Sequence, residues 1–252
     1  MAAAPPSKAS VGPPLPTPTF GPGGSFAVSC SARIAAPPKS CLDVIVNASE
    51  YSVWNRFCRK CTIDAQPAAS APATQAGEGT AGRDKLQLGT QFTFDVHMPP
   101  RSSSADNHAT TTTTIATTTR QAVALEVSLL EPIDEPCTAS DGRPPVFPPS
   151  PEGGNDDKGA TAAAPSRRKG WRIAWRQRNG WLMPGWLLRS ERVQEFVEVG
   201  DGNETAYYCW ETFYGVLAPV VRMAVGAAVE RGFELWAEGL RGRVEKKEVG
   251  EE

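Results

Sequence analysis

The residues best suited to chemistry in this chain are two cysteines and two histidines. Cys58 and Cys61 flank Arg59-Lys60 at a spacing that many metal and redox sites use, and His97 and His108 are the two histidines. Residues three apart on a strand point to opposite faces of the sheet, so these thiols would not hold one ion without a turn. A structural zinc site takes four ligands, and no second cysteine pair is present. We predict no metal site.

Catalytic and cofactor motifs are also missing from the pattern. The chain shows no Ser-His-Asp order, no glycine-rich loop that would cradle a phosphate and no paired-carboxylate signature. We therefore predict no catalytic residue and no cofactor. The six cysteines have no framework spacing and are expected to be reduced thiols that pack as small apolar residues.

Three polar residues in the carboxyl-terminal third could instead orient a bound molecule. Arg192 and Gln194 face inward if Phe196 does, because alternate residues of a strand share a face. The phase of the next strand is open: one phase directs Glu211 inward and the other directs Trp210. An inward Glu211 would need a partner such as Arg192, or a raised pKa, because an unpaired buried charge is costly.

Seven strands are predicted to position these residues, each from apolar residues that alternate with polar ones or from high β-propensity. The clearest of these strands, Leu86–Met98, places Phe92 and Phe94 on its apolar face. Glycine-rich turn residues separate the last two strands. The strands are Phe26–Ile34, Arg56–Ile63, Leu86–Met98, Val123–Leu129, Trp171–Trp175, Arg189–Val199 and Glu204–Tyr214.

Helices are predicted after the first strand and at the carboxyl end. Pro37-Pro38 opens a first short helix, and Ser49 is expected to cap a second over 51–54. Beyond Pro219, one apolar stripe recurs at spacings of three and four and predicts a long amphipathic helix. Glu230, Glu234, Glu238 and Arg241 fall on the opposite face. The stripe comprises Val221, Val225, Val229, Phe233, Trp236, Leu240 and Val244.

Composition divides the chain into one domain and several low-complexity segments. Residues 1–25 are rich in proline, alanine and glycine and are predicted to be disordered. A single domain is predicted over 26–247, with disordered insertions at about 64–85, 100–120 and 133–169. Consecutive strands joined by short or disordered links imply an antiparallel sheet with helices on one side, an α+β architecture.

Five short stretches resemble the START-like or Bet v 1-like superfamily, also called SRPBCC. The match covers most of the chain outside the insertions, and its last two stretches are the most specific. The resemblance implies a helix-grip fold, in which a curved antiparallel sheet wraps a long carboxyl-terminal helix around a cavity for an apolar ligand. Gln194 stands where many relatives carry a histidine, which argues against acid–base chemistry at that position. The stretches are Ala36-Pro37-Pro38, Tyr51–Asn55, Gly89-Thr90, Glu191–Phe196 and Trp210–Pro219.

We expect a cavity because the resemblance implies open space between the sheet and the helix. The aromatic residues predicted to face that space are also numerous, and each aromatic side chain buries roughly 150–250 Å². The same aromatics could fill a solid core, and this alternative stays open. A loop containing Trp181, Met183 and Trp186 carries more apolar area than a solvent-facing loop should, and we predict that it is a lid. The predicted cavity residues are Phe92, Phe94, Trp171, Trp175, Arg192, Gln194, Phe196, Trp210, Glu211, Phe233 and Trp236.

Three functions fit these expectations. The leading hypothesis is binding or carriage of a hydrophobic small molecule, such as a lipid, an isoprenoid or a polyketide-like compound. The second is an enzyme of the polyketide aromatase/cyclase type, and the third is a scaffold with a vestigial cavity. A net charge of −2 with interspersed signs predicts no nucleic-acid partner. We expect a cytoplasmic protein without a transmembrane segment, with transient membrane contact and a mitochondrial address left open as alternatives.

Overall fold

The computed structural model describes residues 8–68, 84–98, 119–136, 167–180 and 184–250. In that part of the chain, strands and helices follow one another in the predicted α+β order, and a 3-10 turn at Ala48–Glu50 precedes the second helix. The elements are β1 (Ala9–Gly12), β2 (Phe26–Ile34), α1 (Pro38–Val46), α2 (Tyr51–Trp54), β3 (Cys58–Ala65), β4 (Gln91–Met98), β5 (Thr119–Pro136), β6 (Arg167–Gln177), β7 (Arg189–Val199), β8 (Glu204–Tyr214) and α3 (Ala218–Gly250).

All the strands join one curved antiparallel sheet in the order β1-β2-β8-β7-β6-β5-β4-β3. The short helices α1 and α2 follow β2, and α3 lies against β2 and β1. This arrangement is the helix-grip fold, so the predicted fold class is confirmed. The described chain has eight strands rather than about seven, because β1 adds one at the edge.

The amino-terminal segment corrects the sequence prediction, because residues 8–25 are ordered rather than disordered. β1 pairs with β2, and α3 holds it from the other side. The Glu230 carboxylate accepts a hydrogen bond from the Val11 amide at 2.9 Å, and that of Glu234 accepts one from Ala9 at 3.4 Å. Both glutamates were predicted on the solvent face. Composition missed this strand because long-range pairing, rather than local propensity, holds it.

The strand ends also extend into the predicted insertions. β3 runs through Asp64-Ala65, β5 begins at Thr119 and continues to Pro136, and β6 begins at Arg167. Ile133 is buried, packing with Val197 and Ala206. Residues 69–83, 100–118 and 137–166 of the predicted insertions, with His108 and Cys137, lie outside the described residues.

Two local predictions fail for specific reasons. β4 begins at Gln91 instead of Leu86, because Gly89 has a positive φ of 83° and the Thr90 amide closes a turn onto the Gln87 carbonyl at 2.9 Å. Leu86 is nevertheless buried. Ser49 does not cap α2; its hydroxyl donates to Asn47 Oδ1 at 2.8 Å.

The outer face of the sheet carries a buried ion-pair network centred on Glu195 of β7. The Glu195 side chain is fully buried, and its carboxylate accepts hydrogen bonds from Arg168 Nη2 and Arg172 Nε, both at 2.8 Å. Arg172 continues the network to Glu131 at 2.9 Å and to Glu135 at 3.0 Å. The network therefore ties β5, β6 and β7 together on the face opposite α3.

The inner face of the sheet packs against the apolar stripe of α3, as predicted. Val229, Phe233, Trp236, Leu240 and Val244 are buried, and Val221 is half-buried. The interface of the sheet and this helix forms the main core, and it is where a ligand site was expected.

Among the described residues, no helix is long and apolar enough to cross a membrane.

Candidate functional site

A cavity of about 340 Å³ lies between the inner face of the sheet and the first half of α3. The strands from β3 to β8 contribute most of its wall, and α3 contributes Val220, Val221, Ala224 and Val229. Its size falls at the lower end of the range for small-molecule sites. The other lining residues are Phe57, Cys58, Phe94, Val96, Met98, Gln121, Val123, Leu125, Trp175, Gln177, Leu188, Ser190, Arg192, Glu211 and Phe213.

The wall is apolar because strand alternation directs one apolar set from each strand inward. On β4 the inward residues are Phe94, Val96 and Met98, and on β5 they are Val123 and Leu125. These strands pair with Phe94 opposite Val123, so their apolar side chains form a continuous surface. Such a surface is suited to an apolar ligand rather than a charged one.

An interlocked aromatic cluster closes the cavity toward the second half of α3. Ring centroids within this cluster are 5.0–5.9 Å apart, mostly in edge-to-face or tilted geometry. The space is therefore filled solidly at one end of the helix and left open at the other. The six members are Tyr51, Trp54, Phe92, Phe94, Trp175 and Trp236.

Arg192 supplies the cationic group of the cavity. Its side chain is 5% exposed, and its guanidinium stacks 3.9 Å from the Phe233 ring centroid and 4.8 Å from that of Trp236. Burial lowers the pKa of Arg192, but interactions with Cys209 and Glu211 outweigh burial and leave the pKa raised. The guanidinium is therefore positively charged at every physiological pH.

Glu211 lies across from Arg192 at the same end of the cavity. Its Oε2 atom is 3.7 Å from Arg192 Nε, close enough for an ion pair but too long for a hydrogen bond. The Glu211 side chain is 20% exposed, so the carboxylate keeps some contact with solvent. This placement selects one of the two phases left open for β8: Glu211 and Phe213 face inward.

Trp210 consequently faces the other side of the sheet, and its prediction as a cavity residue is wrong. Its indole Nε1 donates to the Pro16 carbonyl at 3.1 Å, and the ring packs with Ala174 and Val193. The error arises because residues 13–19 cross the outer face of the sheet. They cover an aromatic side chain that would otherwise lie in solvent.

Gln194 is an inward residue that serves the core. Its side-chain oxygen accepts hydrogen bonds from the Tyr207 hydroxyl at 2.7 Å and from Trp236 Nε1 at 3.1 Å. It is fully buried and does not line the cavity. Gln194 thus connects β7, β8 and α3 behind the aromatic cluster.

The remaining predicted cavity residues divide into two groups. Phe94 and Trp175 line the space together with Arg192 and Glu211. The others pack in or against the core and do not line the cavity, so their prediction as lining residues is corrected: Phe92, Trp171, Gln194, Phe196, Phe233 and Trp236.

Sequence reasoning missed several lining residues on the helix and in loops. Val220 and Ala224 lie one residue away from the apolar stripe, at a spacing of four, and they line the cavity although both are exposed. Leu188 and Phe57 sit at strand entrances, where periodicity gives no signal.

The predicted lid loop is described only in part, since Trp181 and Met183 lie outside the described residues. Trp186 is 69% exposed, and its carbonyl accepts a hydrogen bond from the Val216 amide at 3.3 Å. Gly215 permits this close approach: its φ is 98°, and a Cβ there would lie 2.6 Å from the Leu187 carbonyl oxygen. Trp186 therefore lies beside the start of α3.

The paired cysteines of β3 also differ from expectation. Cys58 and Cys61 are both buried in the main core, because a β-bulge between Cys58 and Lys60 shifts the register. Burial raises the pKa of Cys61 to about 12, so the thiol stays protonated and is a weak metal ligand. Within the described ranges no three His, Cys, Asp or Glu side chains are grouped to hold a metal ion.

The antiparallel sheet, the short helices after β2 and the cavity under α3 together define a helix-grip fold. No family model matches the sequence. The chain is 26% identical over 226 residues to "Oxopyrrolidines biosynthesis cluster protein O" of Penicillium oxalicum, covering 87% of this chain and 86% of that protein.

Solved structures with similar folds include three of interest. A START superfamily protein from Mycobacterium smegmatis has a TM-score of 0.44 and 14% identity, with 87% of this chain and 97% of that one covered. The Zhui aromatase/cyclase from Streptomyces sp. R1128 has a TM-score of 0.44 and 12% identity, with 88% and 94% covered. The protein Ara h 8.0201 has a TM-score of 0.42 and 10% identity, with 87% and 97% covered.

Proposed function

We propose that this protein binds and carries a hydrophobic small molecule in the cavity between the sheet and the first half of α3. The observation that supports this most directly is the cavity itself: about 340 Å³ of space with a mostly apolar wall and a few polar side chains. Burial of apolar ligand surface supplies the driving force, and a few polar groups fix its orientation.

The ligand class follows from the wall and from the related protein. A lipid, an isoprenoid or a polyketide-like compound has the apolar surface that the wall would cover. The relative from Penicillium oxalicum is named for a biosynthesis cluster, which supports a small molecule made by such a cluster. The cavity volume favours a compact molecule, or one end of a longer molecule.

A cavity-blocking substitution tests this function. Val123→Trp places an indole in the open space from β5, and we expect the affinity for an apolar fluorophore such as anilinonaphthalene sulfonate to fall by about tenfold or more. Ala122→Trp is the matched control, because Ala122 is the exposed neighbour on the opposite face. Fluorescence titration measures both affinities. Equal binding by Val123→Trp and the unmodified protein would place the ligand elsewhere.

Native mass spectrometry of protein purified from its source separates the remaining functions. A co-purifying lipid, isoprenoid or polyketide supports the carrier. An empty protein that binds no apolar probe supports a scaffold. The carrier is preferred because the wall is apolar, whereas a scaffold would gain nothing from an open cavity.

A polyketide aromatase/cyclase-type enzyme is the second candidate, and the Arg192–Glu211 pair is the observation that favours it. A carboxylate beside a fixed cation at one end of an apolar space could take a proton from a bound carbonyl compound while the cation holds the oxygen. Turnover of an added polyketide, lost in Glu211→Gln with binding retained, would support the enzyme over the carrier.

Ligand exchange is proposed to use the exposed apolar residues at the start of α3. Trp186, Val216, Val220 and Met223 are each more than half exposed, and Val220 also lines the cavity. Tryptophan prefers the membrane interface, so these residues are suited to transient contact with a bilayer. We expect Trp186→Ala to slow transfer of a fluorescent lipid from vesicles severalfold while leaving affinity unchanged. Val53→Ala, at an exposed apolar site on α2, is the control, and an unchanged rate for Trp186→Ala would remove this role.

A further inference from the structure

The polar end of the cavity contains two hydrogen-bond donors that the protein itself does not use. Arg192 Nε and Nη2 are buried, and neither has a hydrogen-bond partner among the described residues. A buried donor left without a partner destabilises the protein, and the penalty is larger when the donor is charged. Arg192 is a lining residue of the cavity, and a ligand oxygen that reached Nε and Nη2 would satisfy these donors.

The two donors act as one fork. Nε–H and the nearer N–H of Nη2 lie on the same edge of the planar guanidinium and point in parallel, the geometry that grips oxygen. Stacking on Phe233 and Trp236 fixes the plane of the group. The direction of the fork is therefore set before any ligand arrives.

Glu211 restricts which oxygen can occupy this position. Its carboxylate is 3.7 Å from Arg192 Nε and already balances the positive charge. A ligand carboxylate would add a second negative charge beside Glu211, and like charges at such distances repel. An ether or ester oxygen would accept from Arg192 but would offer Glu211 nothing. A hydroxyl oxygen accepts from the cation and donates to the carboxylate.

We propose that the ligand is an apolar molecule bearing a hydroxyl group, as an alcohol, a phenol or an enol, which Arg192 and Glu211 bind together. The hydroxyl oxygen accepts from the Arg192 fork, and its proton is donated to Glu211. This inference rests on the proposed function, because it describes the polar end of the same cavity. Under this proposal, Arg192 and Glu211 determine which ligands bind, in addition to forming an ion pair with each other.

Four naphthalene probes of nearly equal size test the inference at pH 7. We expect naphthol to bind about tenfold or more tighter than naphthalene, because hydrogen bonds to charged groups carry that much binding free energy. Methoxynaphthalene, which cannot donate, and naphthoate, which is an anion, should bind more weakly than naphthol. Displacement of anilinonaphthalene sulfonate measures all four affinities.

The double variant Arg192→Met/Glu211→Met supplies the control, because it removes both charges together and leaves no lone buried charge. It should lose the preference for naphthol and bind naphthol and naphthalene with equal affinity. Circular dichroism and the urea midpoint verify that it folds. Should it not fold, the preference among the four probes in the unmodified protein still decides the question.

The outcomes separate this inference from the proposed function. Equal affinity for naphthol and naphthalene, or tightest binding of naphthoate, overturns the hydroxyl assignment while the carrier function stands. A preference for naphthol that persists in the double variant also overturns it. Binding of none of the four probes overturns both proposals.

Discussion

Replacing Trp236 by alanine is expected to lower the free energy of unfolding by about 3–5 kcal/mol, the range for large aromatic residues in a core. Trp236 is fully buried, and four rings surround it with centroids 5.5–5.9 Å away. The substitution also removes the Nε1 hydrogen bond to Gln194 and one of the two rings beneath Arg192. Urea unfolding followed by circular dichroism measures the change.

The same substitution has a second consequence that tests the position of the cavity. Phe94, Trp175 and Arg192 line the cavity and also contact Trp236, so they lie between the Trp236 indole and the open space. Removing the indole should enlarge the cavity, and larger apolar probes should then bind. Trp186→Ala is the control, since this exposed residue should change stability by less than about 0.5 kcal/mol. A loss below about 1 kcal/mol in Trp236→Ala would show that the cluster packs loosely.

Replacing Glu195 by alanine should destabilise the protein by a similar amount, about 3–5 kcal/mol, because it breaks a buried charge network by removing one partner. Arg168 and Arg172 each donate to this carboxylate at 2.8 Å, and both side chains are only 13% exposed. Without Glu195, two largely buried cations lose their shared anion. The expected result is a lower urea midpoint with an unchanged slope.

Asp134→Ala provides a comparison with an exposed ion pair that joins the same two strands, β5 and β6. Asp134 pairs with Arg167 at 2.7 Å, but both side chains are more than half exposed, and such pairs contribute little. We expect no measurable change in the urea midpoint. If the two alanine variants were equally stable, burial would not be what gives the Glu195 network its strength.

The fold was accessible from sequence because its signals are periodic and local. Apolar and polar residues alternate along β7 and β8, and both strands were predicted with the bounds that the structure shows. The apolar stripe from Val229 to Val244 repeats over several helical turns. β1 was missed because its pairing partner and its two glutamate acceptors lie far away in the chain. No window of neighbouring residues contains that information.

The position of the cavity could be predicted from the sequence only in part, and the reason is geometric. Periodicity tells which residues of a strand share a face, but it left open whether Glu211 or Trp210 of β8 points toward α3. It does not tell where along the helix the space is filled. The aromatic cluster occupies the level of Trp236, and the open volume occupies the level of Val220 to Val229. Separating these levels requires the three-dimensional curvature of the sheet.

The glutamate-anchored β1 has a consequence for the behaviour of the molecule in concentrated solution. β2 is nine residues long, and without β1 it would present unpaired backbone groups at the margin of the sheet, a template for association with another chain. β1 occupies four of those positions and is itself too short to recruit a further strand. Two carboxylates on α3 thus help to suppress aggregation, a role independent of any ligand.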